Sequence, residues 1–445
     1  MGGTFMLSII GLLTIAIIVG LLISNKMTPI VALVLVPIVA AFVAGFGFAE
    51  IGEFFNSGIE SVMSVVIMFI FAILFFGIMQ DVGLFDPLIN KMIAVSRGNV
   101  IAVAVGTVLI AAVAQLDGSG ASTFLITIPA LLPLYKRLKM NPYLLLLLVG
   151  TSASIMNMLP WAGPLGRTAA VLGMDVTELW RPLIKVQVIG LVLLVGLAIL
   201  LAIREKRLIA KRGDFNKELY EEANPPVAGA NDEATLKQAA LRRPKLLWVN
   251  TLLALIIIGI LVWGIVPAGF AFMIGVSIAL PLNYPNMKDQ MERIKDHAPN
   301  ALLMAAIILA AGSFLGILNG TLMLDSLAKD LVTILPAFVI PYIHLVIGFF
   351  GVPFDLLLST DAYYFALLPI VEQVASTAGV SSLSTAYAMI IGNIIGTFVS
   401  PFSPALWLAL GLAGLEMGRH IRYSLLIMWA FSIVLLLISV LIGVI

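Results

Sequence analysis

Apolar runs long enough to cross a lipid bilayer recur along almost the whole chain. A helix needs about 20 apolar residues to span the hydrocarbon core. The chain is 61% hydrophobic and 11% charged, with a mean hydropathy of +1.12, which is more apolar surface than a soluble core could bury. We therefore predict an all-α polytopic membrane protein. The expected uninterrupted spans are 5–24, 28–48, 59–80, 182–203, 247–264, 266–282, 299–319 and 421–444.

Two kinds of irregular segment interrupt this pattern, and each kind occurs twice. Predicted re-entrant hairpins occupy 99–138 and 336–374, where two apolar arms flank a polar tip. Interrupted spans occupy 142–173 and 383–414, where Asn, Gly, Ser and Pro break an apolar run. Irregular polar backbone survives at membrane depth only where protein or a water-filled cavity surrounds it. We therefore expect the four breaks to meet near the middle of the bilayer.

The order of segments is the same in both halves of the chain. In each half, three spans precede a short amphipathic segment (84–96 and about 321–333), a hairpin, an interrupted span and a last span. An odd number of crossings makes the second half enter the membrane inverted relative to the first. The sequence thus predicts two inverted-topology repeats, 1–203 and 247–445, each with five transmembrane helices and one re-entrant hairpin. A polar linker, 204–246, joins them.

Short sequence echoes support this repeat. Leu131-Leu132-Pro133 in the first hairpin returns as Leu367-Leu368-Pro369 in the second. Asn157 and Asn393, at the breaks of the two interrupted spans, are separated by the same number of residues as the two Leu-Leu-Pro triplets. Each match alone is weak, but several in one order are hard to obtain by chance.

The basic residues predict an orientation. With the linker on the cytoplasmic side, all but four of the 25 Lys and Arg fall on that side. Of those four, Arg181 and Lys329 lie outside, and Arg167 and Lys185 lie within spans. The positive-inside rule then places 204–246 in the cytoplasm and both termini outside a cell membrane.

The polar residues of the four breaks are the candidate ligands of a substrate. Free amides and positive helix N-termini at such breaks favour an anion, and hydroxyls and side-chain amides add neutral hydrogen bonds. For any one hydroxyl the alternative is a bond back to its own helix, and either Asn could simply cap a broken end. The predicted substrate-binding residues are Gly118, Ser119, Gly120, Ser122, Thr123, Asn157, Gly163, Arg167, Ser359, Thr360, Asn393, Thr397, Ser400 and Ser403.

Arg167 lies just past the Pro164 break, in the first turn of a half-helix, where the helix dipole disfavours a cation. A desolvated guanidinium there needs an anionic partner. We favour a substrate carboxylate bound through two hydrogen bonds, and a nearby aspartate is the alternative.

Asp117, Asp355 and Asp361 lie in or beside the two hairpin tips, where they would repel an anionic substrate. A divalent cation bound with the substrate, or protons on these carboxyl groups, would resolve the conflict, so we predict a role in metal or proton coupling. Because the chain has no Cys, oxygen ligands favour Mg²⁺ or Ca²⁺. The alternative is structural pairing of these acids with Arg. No covalent cofactor is predicted.

At these residues the chain resembles the citrate–metal–proton symporters, the CitMHS family. The resemblance runs nearly end to end, and three stretches carry it: Leu-Asp-Gly-Ser-Gly-Ala-Ser-Thr at 116–123, Ile-Met-Asn-Met-Leu-Pro-Trp-Ala-Gly at 155–163 and Asp-Ala-Tyr-Tyr-Phe-Ala-Leu-Leu-Pro at 361–369. It implies proton-driven uptake of citrate complexed with a divalent metal. It also implies a homodimer of elevator type, in which hairpins and interrupted spans move against a scaffold.

Rival functions remain at this point. A proton- or sodium-coupled carrier of free di- or tricarboxylates would use the same architecture. An intramembrane enzyme would need a nucleophile–base constellation, and a channel fits two re-entrant hairpins poorly. Nucleic acid is not an expected partner. Within the symporter hypothesis, we predict that Asp361 carries the proton and that Asp117 lies nearer the metal–citrate complex.

Overall fold

The computed structural model describes residues 2–24, 26–84, 86–87, 99–212 and 240–445. Within these ranges every regular element is helical, which confirms the all-α prediction. Six helices of the described chain are long and apolar enough to cross a membrane, and shorter apolar helices accompany them. Most of the amphipathic segment expected at 84–96, and residues 213–239 of the expected linker, lie outside the described residues.

The first half of the chain contains three apolar helices, two helices joined by a polar tip, a broken helix and one long helix. The tip begins with a 3₁₀ turn, Gln115–Asp117. The helices are α1 (Gly2–Ile23), α2 (Pro29–Val43), α3 (Phe48–Asp81), α4 (Val100–Ala114), α5 (Gly120–Arg137), α6 (Pro142–Met156), α7 (Gly163–Leu172) and α8 (Val176–Arg212).

The second half follows the same order of long, broken and long helices. The irregular helical segments are the 3₁₀ turns Pro244–Leu246, Ile340–Tyr342 and Ile395–Phe398 and the π-helix Ala362–Leu367. The α-helices are α9 (Leu247–Trp263), α10 (Ala268–Asn283), α11 (Met287–Gly320), α12 (Met323–Ile334), α13 (Ile343–Phe349), α14 (Gly351–Phe354), α15 (Leu368–Ser376), α16 (Ser382–Ile394), α17 (Pro404–Ala413) and α18 (Met417–Leu441).

Three helices extend well beyond the spans expected from hydropathy. α3 begins at Phe48, ahead of the expected span 59–80. α8 continues to Arg212, so residues 204–212 of the expected linker are helical, because they are Arg, Lys, Glu, Leu, Ile and Ala, which all favour helix. α11 begins at Met287, well before the apolar run, because the Asn286 side chain accepts a hydrogen bond from the Lys288 amide and caps the helix. Hydropathy marks the apolar part of a helix and misses such polar extensions.

The helices pack in two groups. One group contains α1, α2, α3, α9, α10 and α11, with α3 against α11 as its most extensive contact. The other contains α4–α8 and α13–α18, and therefore holds all the broken elements. α7 joins the groups by packing on both α3 and α11, and α12 joins them by contacting α1 and α15.

Glycines set the distance between α3 and α11. A Cβ on Gly58 would collide with the carbonyl oxygen of Gly312, and one on Gly316 would collide with the carbonyl oxygen of Phe54. The two backbones therefore touch directly over this stretch, as small residues allow between membrane helices. α3 and α11 therefore form a closely packed pair at the centre of their group of helices.

Candidate functional site

The first hairpin tip is a set of polar groups that bond mainly to one another. Gly118 has a φ of 75°, which lets the chain turn sharply between α4 and α5. The Asp117 carboxylate accepts a hydrogen bond from the Ser119 amide at 2.8 Å, and Ser122 also approaches this carboxylate. The Ser119 hydroxyl caps α5 by accepting from the Ser122 amide at 3.4 Å. Asp117, Gly118, Ser119, Gly120 and Ser122 are all half-buried.

Side-chain hydrogen bonds hold the first interrupted helix against this tip. Gln115, fully buried, donates to the Asn157 side chain at 2.8 Å and accepts a hydrogen bond from the Thr123 hydroxyl. The Trp161 indole nitrogen donates to the Leu116 carbonyl at 2.8 Å. Asn157 and Thr123, both predicted as substrate ligands, are thus held by Gln115, a residue that was not predicted. Gln115 begins the polar stretch at the tip of the first hairpin, and this position was the sign in the sequence that it belongs to the site.

Among the described residues, the tip of the second hairpin shows fewer side-chain hydrogen bonds than the first. The Ser359 hydroxyl accepts from the Ala362 amide at 3.2 Å and so caps the π-helix that follows. Ser359 and Thr360 are half-buried. Asp355 and Asp361 are 2% and 9% exposed. The two acids lie on opposite sides of the tip and meet different neighbours.

The second interrupted helix packs against Asp355. Ser400 donates its hydroxyl to the Asp355 carbonyl at 2.5 Å, and Asn393 donates its side-chain amide to the Gly351 carbonyl at 3.1 Å. A Cβ on Gly396 would collide with Oδ2 of Asp355, so this break is fitted closely around the carboxyl group. Thr397 bonds back to the Ile394 carbonyl of its own helix, as the alternative for single hydroxyls expected. Ser403 is half-buried and precedes α17.

Arg167 on α7 forms a buried ion pair with Asp361 at the start of the π-helix, with 2.6 Å between Nε and Oδ1. The pairing with an aspartate is the alternative that the sequence left open. A Cβ on Gly163 would collide with Nη1 of Arg167, so this nitrogen lies at the mouth of the first break. The guanidinium also lies over the Phe365 ring, 5.9 Å from its centroid.

These contacts join the four breaks in a closed cycle. The first tip meets the first interrupted helix through Gln115 and Trp161, and that helix meets the second hairpin through Arg167 and Asp361. The second hairpin meets the second interrupted helix through Ser400. Phe398 closes the cycle against Phe124 of α5, with ring centroids 5.0 Å apart.

A second polar cluster lies outside this cycle and joins α3 to α11. Asp81 on α3 accepts from His297 Nε2 at 2.8 Å and lies 3.3 Å from an Arg293 nitrogen, both on α11. A Cβ on Gly77 would meet the His297 ring at 2.5 Å, so this Gly makes room for it. Sequence alone places His297 just before the expected span 299–319, where a solvated or interfacial group would be ordinary. The structure pairs it with a carboxylate instead.

No group of three or more His, Asp or Glu side chains that could hold a metal ion is found among the residues that the structure describes. The three candidate acids are therefore separate groups with different surroundings. Asp117 is bonded to amide and hydroxyl donors, and Asp361 is paired with a guanidinium. Asp355 has the neutral Asn393 side chain as its hydrogen-bonding neighbour and is in none of the ion pairs of the described residues.

Comparison with known proteins agrees with the resemblance stated from sequence. The family model described as citrate transporter (CitMHS) matches residues 15–392. A Bacillus subtilis (strain 168) protein named "Mg(2+)/citrate complex secondary transporter" is 38% identical over 440 residues, covering 98% of this chain and 99% of that protein. Another from the same organism, named "Citrate transporter", is 36% identical over 442 residues, covering 99% and 100%.

The fold also has a solved counterpart. The crystal structure of the Alcanivorax borkumensis YdaH transporter, described as having an unusual topology, aligns with a TM-score of 0.59 at 15% identity and covers 89% of this chain and 90% of its own. The family and these relatives are transporters and not enzymes. With the family model matching most of its length, the chain belongs to the citrate transporter family, as a multi-pass membrane protein.

Proposed function

We propose that the chain is a secondary active transporter that carries citrate, complexed with a divalent metal ion, together with protons. The observation that carries this proposal is the closed cycle of four helix breaks. It gathers hydroxyls, an arginine and three carboxyl groups that a purely structural membrane bundle would not need. Relatives named as transporters of citrate and of a Mg²⁺–citrate complex support the choice of substrate.

The anionic substrate would be held by the positive features of this cycle. α5, α7 and α17 each begin at it, so their N-terminal amides favour negative charge there. Arg167 would contribute its terminal nitrogens, since Asp361 holds Nε and Nη1 lies at the break beside Gly163. In this arrangement Asp361 positions the guanidinium. The half-buried Ser122, Ser359 and Thr360 would supply neutral hydrogen bonds.

The metal would travel as part of the substrate. Most of its oxygen ligands would come from citrate, because the described residues gather no cluster of acids around one point. Asp117 is the acid best placed to add a ligand, since it is half-buried at the tip and other protein donors already orient it. Mg²⁺ and Ca²⁺ both suit such oxygen ligands.

The architecture proposed for transport is a pair of inverted repeats working by an elevator motion in a homodimer. The packing in two groups supports this, because one group contains all four breaks and the other is built on the α3–α11 pair. The same proposal places 204–246 in the cytoplasm and both termini outside, as the distribution of Lys and Arg suggests.

Uptake of labelled citrate into proteoliposomes tests this function. With a proton gradient directed into the vesicles, we expect labelled citrate to accumulate when Mg²⁺ or Ca²⁺ is present. We expect this accumulation to be lost when a chelator removes the metal. Accumulation that persists in chelator would contradict the metal complex and favour a carrier of the free anion. Accumulation that follows a sodium gradient and ignores the pH gradient would contradict proton coupling.

A further inference from the structure

Asp355 has the most isolated carboxyl group of the three acids. It is 2% exposed, and its Oδ2 has no hydrogen-bond partner in the described part of the chain. None of the ion pairs of the described residues includes it. The Asn393 side chain is its neutral hydrogen-bonding neighbour, and Gly396 packs closely against Oδ2. A buried carboxylate without a cation is very costly, so this site needs a positive ion or a proton.

The other two acids are satisfied where they are. Asp361 is already paired with the Arg167 guanidinium, with 2.6 Å between Nε and Oδ1, so its charge has a partner within the protein. Asp117 is half-buried and accepts a hydrogen bond from the Ser119 amide, so its carboxyl group also has a partner within the protein. The sequence predicts Asp361 as the proton carrier, and the structure gives a physical reason to assign that role elsewhere.

Two tyrosines are the titratable groups that face Asp355 from the π-helix. Tyr363 and Tyr364 both lie within electrostatic range of its carboxyl group. The Tyr363 hydroxyl donates to the Met389 carbonyl at 3.3 Å. The Tyr364 hydroxyl is fully buried, has no partner among the described residues, and is within range of Arg167 as well. Tyr364 is therefore a buried, unpartnered polar group within electrostatic range of both the isolated acid and Arg167.

We propose that Asp355 is the residue that binds the coupled proton, and that the buried, unpartnered Tyr364 hydroxyl affects how tightly that proton is held. The assignment rests on the proposed proton-coupled function. A proton arriving through water forms one O–H bond with the Asp355 carboxylate, and the same bond breaks when the proton leaves on the other side. No electrons are transferred. Protonation removes the unpaired charge beside the second break, which lets the hairpin and that break stay packed while the substrate complex is bound.

Two assays of one proteoliposome preparation test this assignment. The first measures exchange of labelled citrate for unlabelled citrate with Mg²⁺ on both sides and no pH gradient, and the second measures uptake driven by an inward pH gradient. In D355N we expect the ratio of gradient-driven uptake to exchange to fall sharply, because the uptake driven by protons is lost. We also expect the rate of exchange to become independent of pH. D325N, which changes an exposed acid on α12, is the matched control and should keep the wild-type ratio.

Y364F and Y363F form a second, adjacent pair of variants in case D355N does not fold. Y364F should lower the ratio of gradient-driven uptake to exchange, and Y363F should not. A wild-type ratio in D355N would overturn the assignment, as would an inactive D355N combined with equal ratios in the two tyrosine variants. Failure of the wild-type protein to exchange metal–citrate would count against the proposed function itself and not against the role of Asp355.

Discussion

Arg167 and Asp361 form a buried ion pair between the first interrupted helix and the second hairpin, with 2.6 Å between Nε and Oδ1. The two residues are 194 positions apart in the chain. Their side chains are 10% and 12% exposed, so neither charge is well solvated. The pair therefore connects the two halves of the protein at the same place where the candidate ligands gather.

We predict that D361N destabilises the fold and weakens citrate binding. Removing one partner of a buried pair leaves the other charge uncompensated, at a cost of roughly 3–5 kcal/mol. Thermal unfolding in detergent, with and without citrate and Mg²⁺, measures both effects. D325N is the matched control, because the exposed Asp325–Lys329 pair should contribute only about 0–1 kcal/mol. Equal unfolding temperatures in the two variants would show that the buried pair has no structural role.

We predict that S122A and S359A each weaken citrate binding while the protein stays folded. A hydrogen bond to a charged group contributes about 1.5–3 kcal/mol, which corresponds to at least a tenfold change in affinity. Ser359 also caps the π-helix, so S359A should lower stability slightly as well. Uptake kinetics over a range of citrate concentrations provide the measurement. S277A is the control, because Ser277 is an exposed residue of α10 whose hydroxyl bonds back to the Met273 carbonyl. Unchanged kinetics in both tip variants would remove the two serines from the site.

The fold was largely predictable from sequence because hydropathy and breaker residues act locally. Apolar runs located the helices, and the polar tip at Gln115–Thr123 and the Asn157–Gly163 break located the irregular elements. The extensions of α3, α8 and α11 were missed, since helical segments that contain charged and polar residues carry a weaker apolar signal.

The partners within the site were not predictable, because they depend on distant contacts. Nothing in the sequence around Arg167 distinguishes Asp361 from a substrate carboxylate as its partner. Gln115 was missed because a lone Gln is ambiguous until Asn157 and Thr123 are seen to bond to it. The contact between His297 and Asp81 could not be predicted either, because the two residues lie on different helices.

We predict that G58A separates α3 from α11 and destabilises the protein. A Cβ at Gly58 would collide with the Gly312 backbone, which cannot move aside as a flexible side chain could. Overpacking of this kind costs roughly 1–3 kcal/mol. The unfolding temperature in detergent is the measurement. G52A on the same helix is the matched control, because a Cβ there meets nothing within 4 Å. A G58A protein as stable as G52A would show that the helices tolerate a wider separation.

The last prediction concerns orientation in the membrane. Because nearly all Lys and Arg would then lie on the cytoplasmic side, we expect the segment around Ala228 to be inside and the exposed loop at Ala378, between α15 and α16, to be outside. The chain contains no Cys, so A228C and A378C each introduce a single labelling site. In sealed cells, a membrane-impermeant maleimide should label A378C and spare A228C until the membrane is permeabilised. The reverse pattern would invert the topology, and labelling of both sites from outside would contradict the odd number of crossings that separates them.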